Sequence, residues 1–274
     1  MRKSLVFILI LVALLLMPKE HADIPGYAAD AGSSSPTPSP PSTPVPTATP
    51  VPPVVFIGDS VTMGAFASTP DNAFVMRVDN DLKARGIDAT NDCVWTLDPY
   101  SDLRNAQRVA GEHRQLIILE VGVHWAAFDA AQFRELYGSM LDCLAGSGAR
   151  LVVGTIPWLN WQPDTPSYFE MAFNSQIIRE EAAKRGIPVA DLWAATDRRA
   201  DAISRPGQSC FLAATCQGDN YHPSDIGHAL IAEAYARALD VALASPPHPH
   251  EERCDFDAYL DALAKGEPVR VRGP

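Results

Sequence analysis

From Val54 to about Leu243 the chain alternates short apolar runs with longer segments of helical period, and this alternation leaves few folds open. Val54 to Ile57 is a short run of the buried-strand kind. Asp71 to Arg85 carries Phe74, Val75, Val78 and Leu82 at helical spacing and stops before Gly86. A strand around Asp88 to Trp95, a polar helix near Ser101 to Gly111 and the most apolar strand, Leu116 to Val121, come next. Then follow a helix over Ala131 to Ala145, a strand over Arg150 to Ile156, a helix over Tyr168 to Arg185 and a strand near Ile187 to Leu192. A final helix is expected from about Pro223 to Leu243, with Pro223 in its first turn. Strands joined through helices run parallel and bury both faces. The expectation is an α/β fold in three layers, a five-stranded parallel sheet between helices, with ligands outside the C-terminal ends of the strands.

The rest of the chain is organised around that domain, which spans 54–245. Arg2 and Lys3 precede an apolar run from Leu5 to Met17, and Ala29-Asp30-Ala31 has the small-x-small pattern of a signal-peptidase site, so residues 1–31 form an export signal. An uncleaved anchor is the alternative; Lys19 and Glu20 end the apolar run. Residues 32–53 hold nine prolines among mostly Ser and Thr, an extended spacer of roughly 70 Å in polyproline form. The expected location is extracytoplasmic, secreted or tethered to the cell envelope. Residues 246–274 are expected to be a solvated tail with a short helix over Asp255 to Leu263. A formal net charge of -11 argues against a nucleic-acid partner, whose phosphates an acidic surface repels.

Two short motifs lie where this geometry puts a site. Gly58-Asp59-Ser60 directly follows the first strand; the glycine lets the chain turn and Ser60 presents both its hydroxyl and its own N–H. Alone the tripeptide is weak, arising by chance in roughly one chain of this size in fifteen. Asp219-Asn-Tyr-His222-Pro223 stands before the last helix, and a spacing of three lets the Asp219 carboxylate reach His222 Nδ1, leaving Nε2 to face a nucleophile. A lone His-Pro is better explained as a helix cap. The two motifs in this order point instead to Ser60 as nucleophile, His222 as base and Asp219 as its orienting carboxylate.

Over Val54 to Ala244 the chain resembles the SGNH/GDSL hydrolases, which carry a Gly-Asp-Ser block after the first strand and an Asp-x-x-His-Pro block before the last helix. The resemblance implies a flavodoxin-like α/β/α fold, a Ser-His-Asp triad, neither metal nor cofactor, and hydrolysis of carboxylic esters through an acyl-enzyme on Ser60. Family substrates range over lipids, thioesters and acetylated sugars. Two middle blocks depart from the family pattern. His124 stands where an Asn is usual after strand three, and Cys93-Val-Trp-Thr-Leu-Asp98 contains no Gly after strand two. The expected oxyanion donors are therefore the Ser60 N–H, the N–H of Thr96 or a neighbour, and the His124 side chain.

Trp95, Trp125, Trp158 and Trp161 follow strands two, three and four, and together they are expected to line a substrate cleft for a sugar ring or an acyl group. Among five cysteines, Cys210 with Cys216 and Cys93 with Cys143 are the expected disulfides, leaving Cys254 over. No Cys-x-x-Cys or paired-His spacing suggests zinc. The expected partner is a small-molecule or polysaccharide ester. A glycan-binding module without turnover, or an O-acyltransferase whose acyl-enzyme is resolved by an alcohol, would use the same site.

Overall fold

The structure is a computed structural model that describes residues 53–89, 92–158, 166–205, 211, 221–251, 254–257 and 260–261. Residues 1–52, Trp161, Cys210, Cys216 and Asp219 lie outside the described residues, and with them the expected signal, the spacer and the Cys210–Cys216 bridge. No helix among the described residues is long and apolar enough to cross a membrane.

Five strands form one parallel sheet: β1 (Val54–Gly58), β2 (Cys93–Trp95), β3 (Leu116–Glu120), β4 (Arg150–Gly154) and β5 (Val189–Ala190), in the order β2-β1-β3-β4-β5. The order reverses between β1 and β3, and the crevice at such a switch point is where ligands bind in sheets of this kind. Gly58 lies in register with Trp95 on one side and Glu120 on the other, so the ends of three strands meet there.

The apolar residues of the central strands alternate between two cores. Val55, Ile57, Ile117, Leu119, Leu151 and Val153 pack under α2 (Pro99–Ala110), α3 (Ala130–Gly146) and α4 (Pro166–Lys184). Val54, Phe56, Leu116, Ile118 and Val152 pack against α1 (Phe74–Ala84) and α6 (Asp225–Ala244) on the opposite face. Burial of each such side chain contributes about 1.5–3 kcal/mol before entropy is counted, which explains why the strands read as continuous apolar runs. Between β5 and α6 lies a short helix, α5 (Leu192–Thr196), capped by Asp191.

Several local expectations are corrected. α2 starts at Pro99 rather than near Ser101, because the Asp98 carboxylate caps it by accepting the Tyr100 and Ser101 N–H groups. α6 starts at Asp225: Ser224 is its N-cap, and Pro223 instead forms a β-bridge with Ile203. His222 therefore precedes the helix by two residues, Pro223 and Ser224.

The disulfide pairing is also different. Cys143 on α3 bonds Cys254, closing a loop with a sequence separation of 111. Cys93 cannot reach Cys143, because it packs on the α1/α6 face of the sheet while Cys143 belongs to the opposite core. Burial, reinforced by Asp92 and Asp79, pushes the Cys93 thiol up to about 12, so it is not a nucleophile at neutral pH. The segment after α6 is bound rather than solvated: Glu251 N–H donates to Gly146 O, Phe256 N–H donates to Gln107 Oε1, and Phe256 and Leu260 join the core.

Candidate active site

Directly after β1 the chain coils back on itself. Met63 N–H donates to Asp59 O, Gly64 N–H to Val61 O and Ala65 N–H to Ser60 O. Gly58 is obligatory at the entry to this turn: a Cβ there would lie 1.9 Å from Thr62 Oγ1 and 2.5 Å from Glu120 O. The turn leaves Ser60 half-buried at the switch point, and its Oγ lies 2.9 Å from His222 Nε2 across 162 residues of sequence.

α6 holds this turn against the His222 segment. The Asp225 carboxylate accepts the Ser68 N–H at 2.8 Å, the Ser68 hydroxyl at 2.6 Å and Asn72 Nδ2 at 3.0 Å. His228 is fully buried; its Nδ1 accepts the Phe74 N–H, so its Nε2 carries the proton and donates to Ala65 O at 3.0 Å. Burial lowers the His228 pKa to about 4, outweighing the Ala65 bond that opposes the shift. This histidine is a neutral structural clamp. On the other side, the Ser204 N–H fixes the backbone by donating to His222 O at 2.8 Å. Phe66 lies in the left-handed region at φ +66°, a conformation that costs a non-glycine residue on the order of 1–3 kcal/mol, and its ring stacks on the His222 imidazole.

Beneath Ser60 lies a buried acidic pair that the sequence reading did not single out. Asp59 Oδ1 accepts the Val61 N–H at 2.8 Å and Glu120 Oε2 accepts the Thr62 hydroxyl at 3.0 Å, while Asp59 Oδ2 and Glu120 Oε1 are buried with no hydrogen-bond partner among the described residues. Burial, reinforced by the charge of Asp59, raises Glu120 well above the usual carboxylate range. A charged residue ending an otherwise apolar strand was the available signal. Asp102 is a third buried acid, pushed up to about 8 by burial against the opposing bond from Trp125.

The groups expected as oxyanion donors are partly engaged elsewhere. The Thr96 N–H donates to Gly58 O at 3.0 Å and its hydroxyl bonds Asp98, so the expected role of Thr96 is corrected: its amide is consumed in extending the β1–β2 ladder. The amides of Ser60 and Leu97 donate to no group among the described residues. His124 sits in a 3-10 turn, Val123–Ala127, with its Nε2 buried and without a hydrogen-bond partner among the described residues. It follows Gly122, whose φ of +137° admits only glycine comfortably, and a Cβ there would meet Ile156 at 2.9 Å. His124 opposes the effect of burial on Asp59 through charge, as His222 does more weakly.

Two tryptophans are corrected as cleft residues. Trp125 is fully buried, its Nε1–H donates to Asp102 Oδ2 at 2.8 Å, and its ring packs edge-on to Phe128, Phe133 and Tyr137. Trp158 is buried in the same core, with its N–H donating to Thr196 Oγ1. Trp95 is 45% exposed at the end of β2, and Tyr100 and Tyr221 are exposed as well. No group of three His, Cys, Asp or Glu among the described residues is arranged to hold a metal ion.

Comparison with known proteins agrees with this architecture. A model of the GDSL-like lipase/acylhydrolase family matches residues 56–230. Among solved structures, a catalytic mutant of Axe2, an acetylxylan esterase from Geobacillus stearothermophilus, superposes with a TM-score of 0.53 at 18% identity, over 68% of this chain and 93% of that one. A lipase/acylhydrolase from Enterococcus faecalis superposes with a TM-score of 0.52 at 19% identity, over 71% and 97%. The acetyl xylan esterase AlAXEase gives 0.50 at 21% identity, over 68% and 98%. No curated protein matches the chain.

Proposed function

The chain belongs to the GDSL-like lipase/acylhydrolase family, and from that premise we propose that it is an exported serine esterase that removes acyl groups, acetyl above all, from a glycan. The observation that carries the reading is the 2.9 Å contact between Ser60 Oγ and His222 Nε2 at the sheet's switch point. In the reaction, Ser60 Oγ attacks the ester carbonyl as Nε2 takes its proton, which requires the Nδ1–H tautomer of His222. Asp219 is the expected acceptor of that Nδ1–H. The tetrahedral oxyanion would be met by the Ser60 and Leu97 amides and by a His124 N–H, donors with no protein acceptor of their own among the described residues. Collapse breaks the ester C–O bond, His222 returns the proton to the leaving alcohol, and water repeats the sequence to free the acid and Ser60.

The exposed faces of Trp95, Tyr100 and Tyr221 favour a sugar as the alcohol, since flat aromatic surfaces stack on sugar rings at low entropic cost. Relatives of this fold that act on acetylated xylan support the same choice. The Cys143–Cys254 disulfide accords with an oxidising compartment outside the cytoplasm. The test is twofold. Wild-type protein should be labelled by a fluorophosphonate at Ser60 and should release acetate from acetylated xylo-oligosaccharides, and Ser60→Ala should lose both by several powers of ten while melting at the wild-type temperature. A wild-type protein that binds the oligosaccharide yet is neither labelled nor active is a binding module instead.

A further inference from the structure

Phe66 is one of three non-glycine residues at positive φ among the described residues, with His113 and Arg198, and its ring stacks on His222. We propose that Phe66 is a positioning residue for the reaction assigned above: its ring, held by a left-handed backbone against the His222 imidazole, keeps Nε2 on the line to Ser60 Oγ. The inference rests on the reading of Ser60 and His222 as nucleophile and base.

The backbone alone does not explain a phenylalanine here. Left-handed positions favour Gly, or Asn and Asp, whose short side chains tolerate the crowding. Two residues earlier the same turn uses Gly64 at φ +84°. A bulky residue at the second such position is retained against its conformational preference, so its side chain must supply something. What it supplies is visible in the ring geometry: the Phe66 and His222 centroids are 4.5 Å apart with the planes inclined by only 20°. A near-parallel contact of this kind covers one face of the imidazole, opposes rotation of that ring away from Ser60, and presents a π-face to the imidazolium that forms during proton transfer.

Phe66 is itself gripped on both sides. His228 Nε2–H bonds the carbonyl of Ala65, the Ala67 N–H bonds Gly64 O at 3.2 Å, and Ser68 is held twice by Asp225. His228 and Asp225 stand in the first turns of α6, the helix that His222 precedes. The stacking ring and the base are thus tied to one frame, while the nucleophile lies in the same turn as Phe66.

Phe66→Tyr, Phe66→Ala and Phe66→Gly in the full chain separate the ring from the strain. Kinetics on an aryl acetate, fluorophosphonate labelling and thermal melting are measured for each. Phe66→Tyr keeps the stack and should stay within about twofold of wild type in kcat. Ala and Gly should each lose kcat by about tenfold or more with KM within about twofold, because misaligning a base costs rate rather than ground-state binding. Gly should also melt above Ala, since only glycine relieves the left-handed backbone. Wild-type turnover in the Ala variant, or recovery of kcat in Gly to the level of Tyr, overturns the proposal while leaving the esterase reading intact. A wild-type protein that is neither labelled nor active overturns that reading, and the positioning role with it.

Discussion

His124 Nε2 is a buried nitrogen with no hydrogen-bond partner among the described residues, a condition that costs folding energy and calls for an explanation such as a functional role. It sits one turn beyond β3, after a glycine that only a left-handed backbone explains, and it bears on Asp59 through charge. As the side-chain oxyanion donor, it would contribute mainly in the transition state. His124→Ala should therefore lower kcat on the order of 100-fold with little change in KM, while His124→Asn, which also offers an N–H, should keep a substantial part of the activity. Steady-state kinetics of both variants on one ester decide the matter, and an unimpaired Ala variant would reduce His124 to a packed side chain. The sequence marks His124 by its place after strand three. It gave no sign that Thr96 would lose its amide to Gly58, because that bond depends on how β2 closes against β1.

At the scale of elements, the bridge between α3 and the C-terminal segment does work that the helices alone do not. Cys143 lies at the end of α3 that leads into β4, so the disulfide is at the N-terminal ends of the strands, opposite the ends that Ser60 follows. It pins a segment whose own contribution to the core is small, Phe256 and Leu260 among the described residues. Closing a loop of this length removes much of the freedom of the unfolded chain, a stabilisation of about 2–4 kcal/mol. Cys254→Ser should lower the urea midpoint by a corresponding amount and leave ester turnover unchanged, measured by denaturation and kinetics without reductant. Equal midpoints would mean that the segment is held by its backbone bonds and buried side chains alone.

For the molecule as a whole, acid stability should depend on His228. Its folded pKa, about 4, lies below the unfolded value near 6.5, so the unfolded chain binds the proton more readily. The stabilisation is complete above pH 6.5 and is lost as pH falls from 6.5 to 4. The window corresponds to an order of magnitude of about 3 kcal/mol. Melting curves of wild type and His228→Gln over that range test this: the variant starts lower at neutral pH, and its melting temperature should fall less steeply with acid. Parallel slopes would exclude His228 as the titrating group. The same protonation would break the Phe74 bond to Nδ1, loosening the turn that carries Ser60.

The sequence by itself determined the parallel α/β sheet, because strands buried on both faces leave continuous apolar runs and the helices between them keep a 3.6-residue period. It also singled out Ser60 and His222, since each stands in a short motif whose order along the chain could be read without coordinates. Tertiary structure decided what depends on which face of the sheet an element covers. It put Cys93 and Cys143 in different cores and gave Cys254 its partner; it buried Trp125 and Trp158 while leaving Trp95 exposed. It also brought Phe66 onto His222 and set the Glu120 carboxyl where it feels the charge of Asp59, relations that no periodicity gives. Local patterns record how each segment meets the solvent and the core; which side chains then meet one another is fixed only when the layers close.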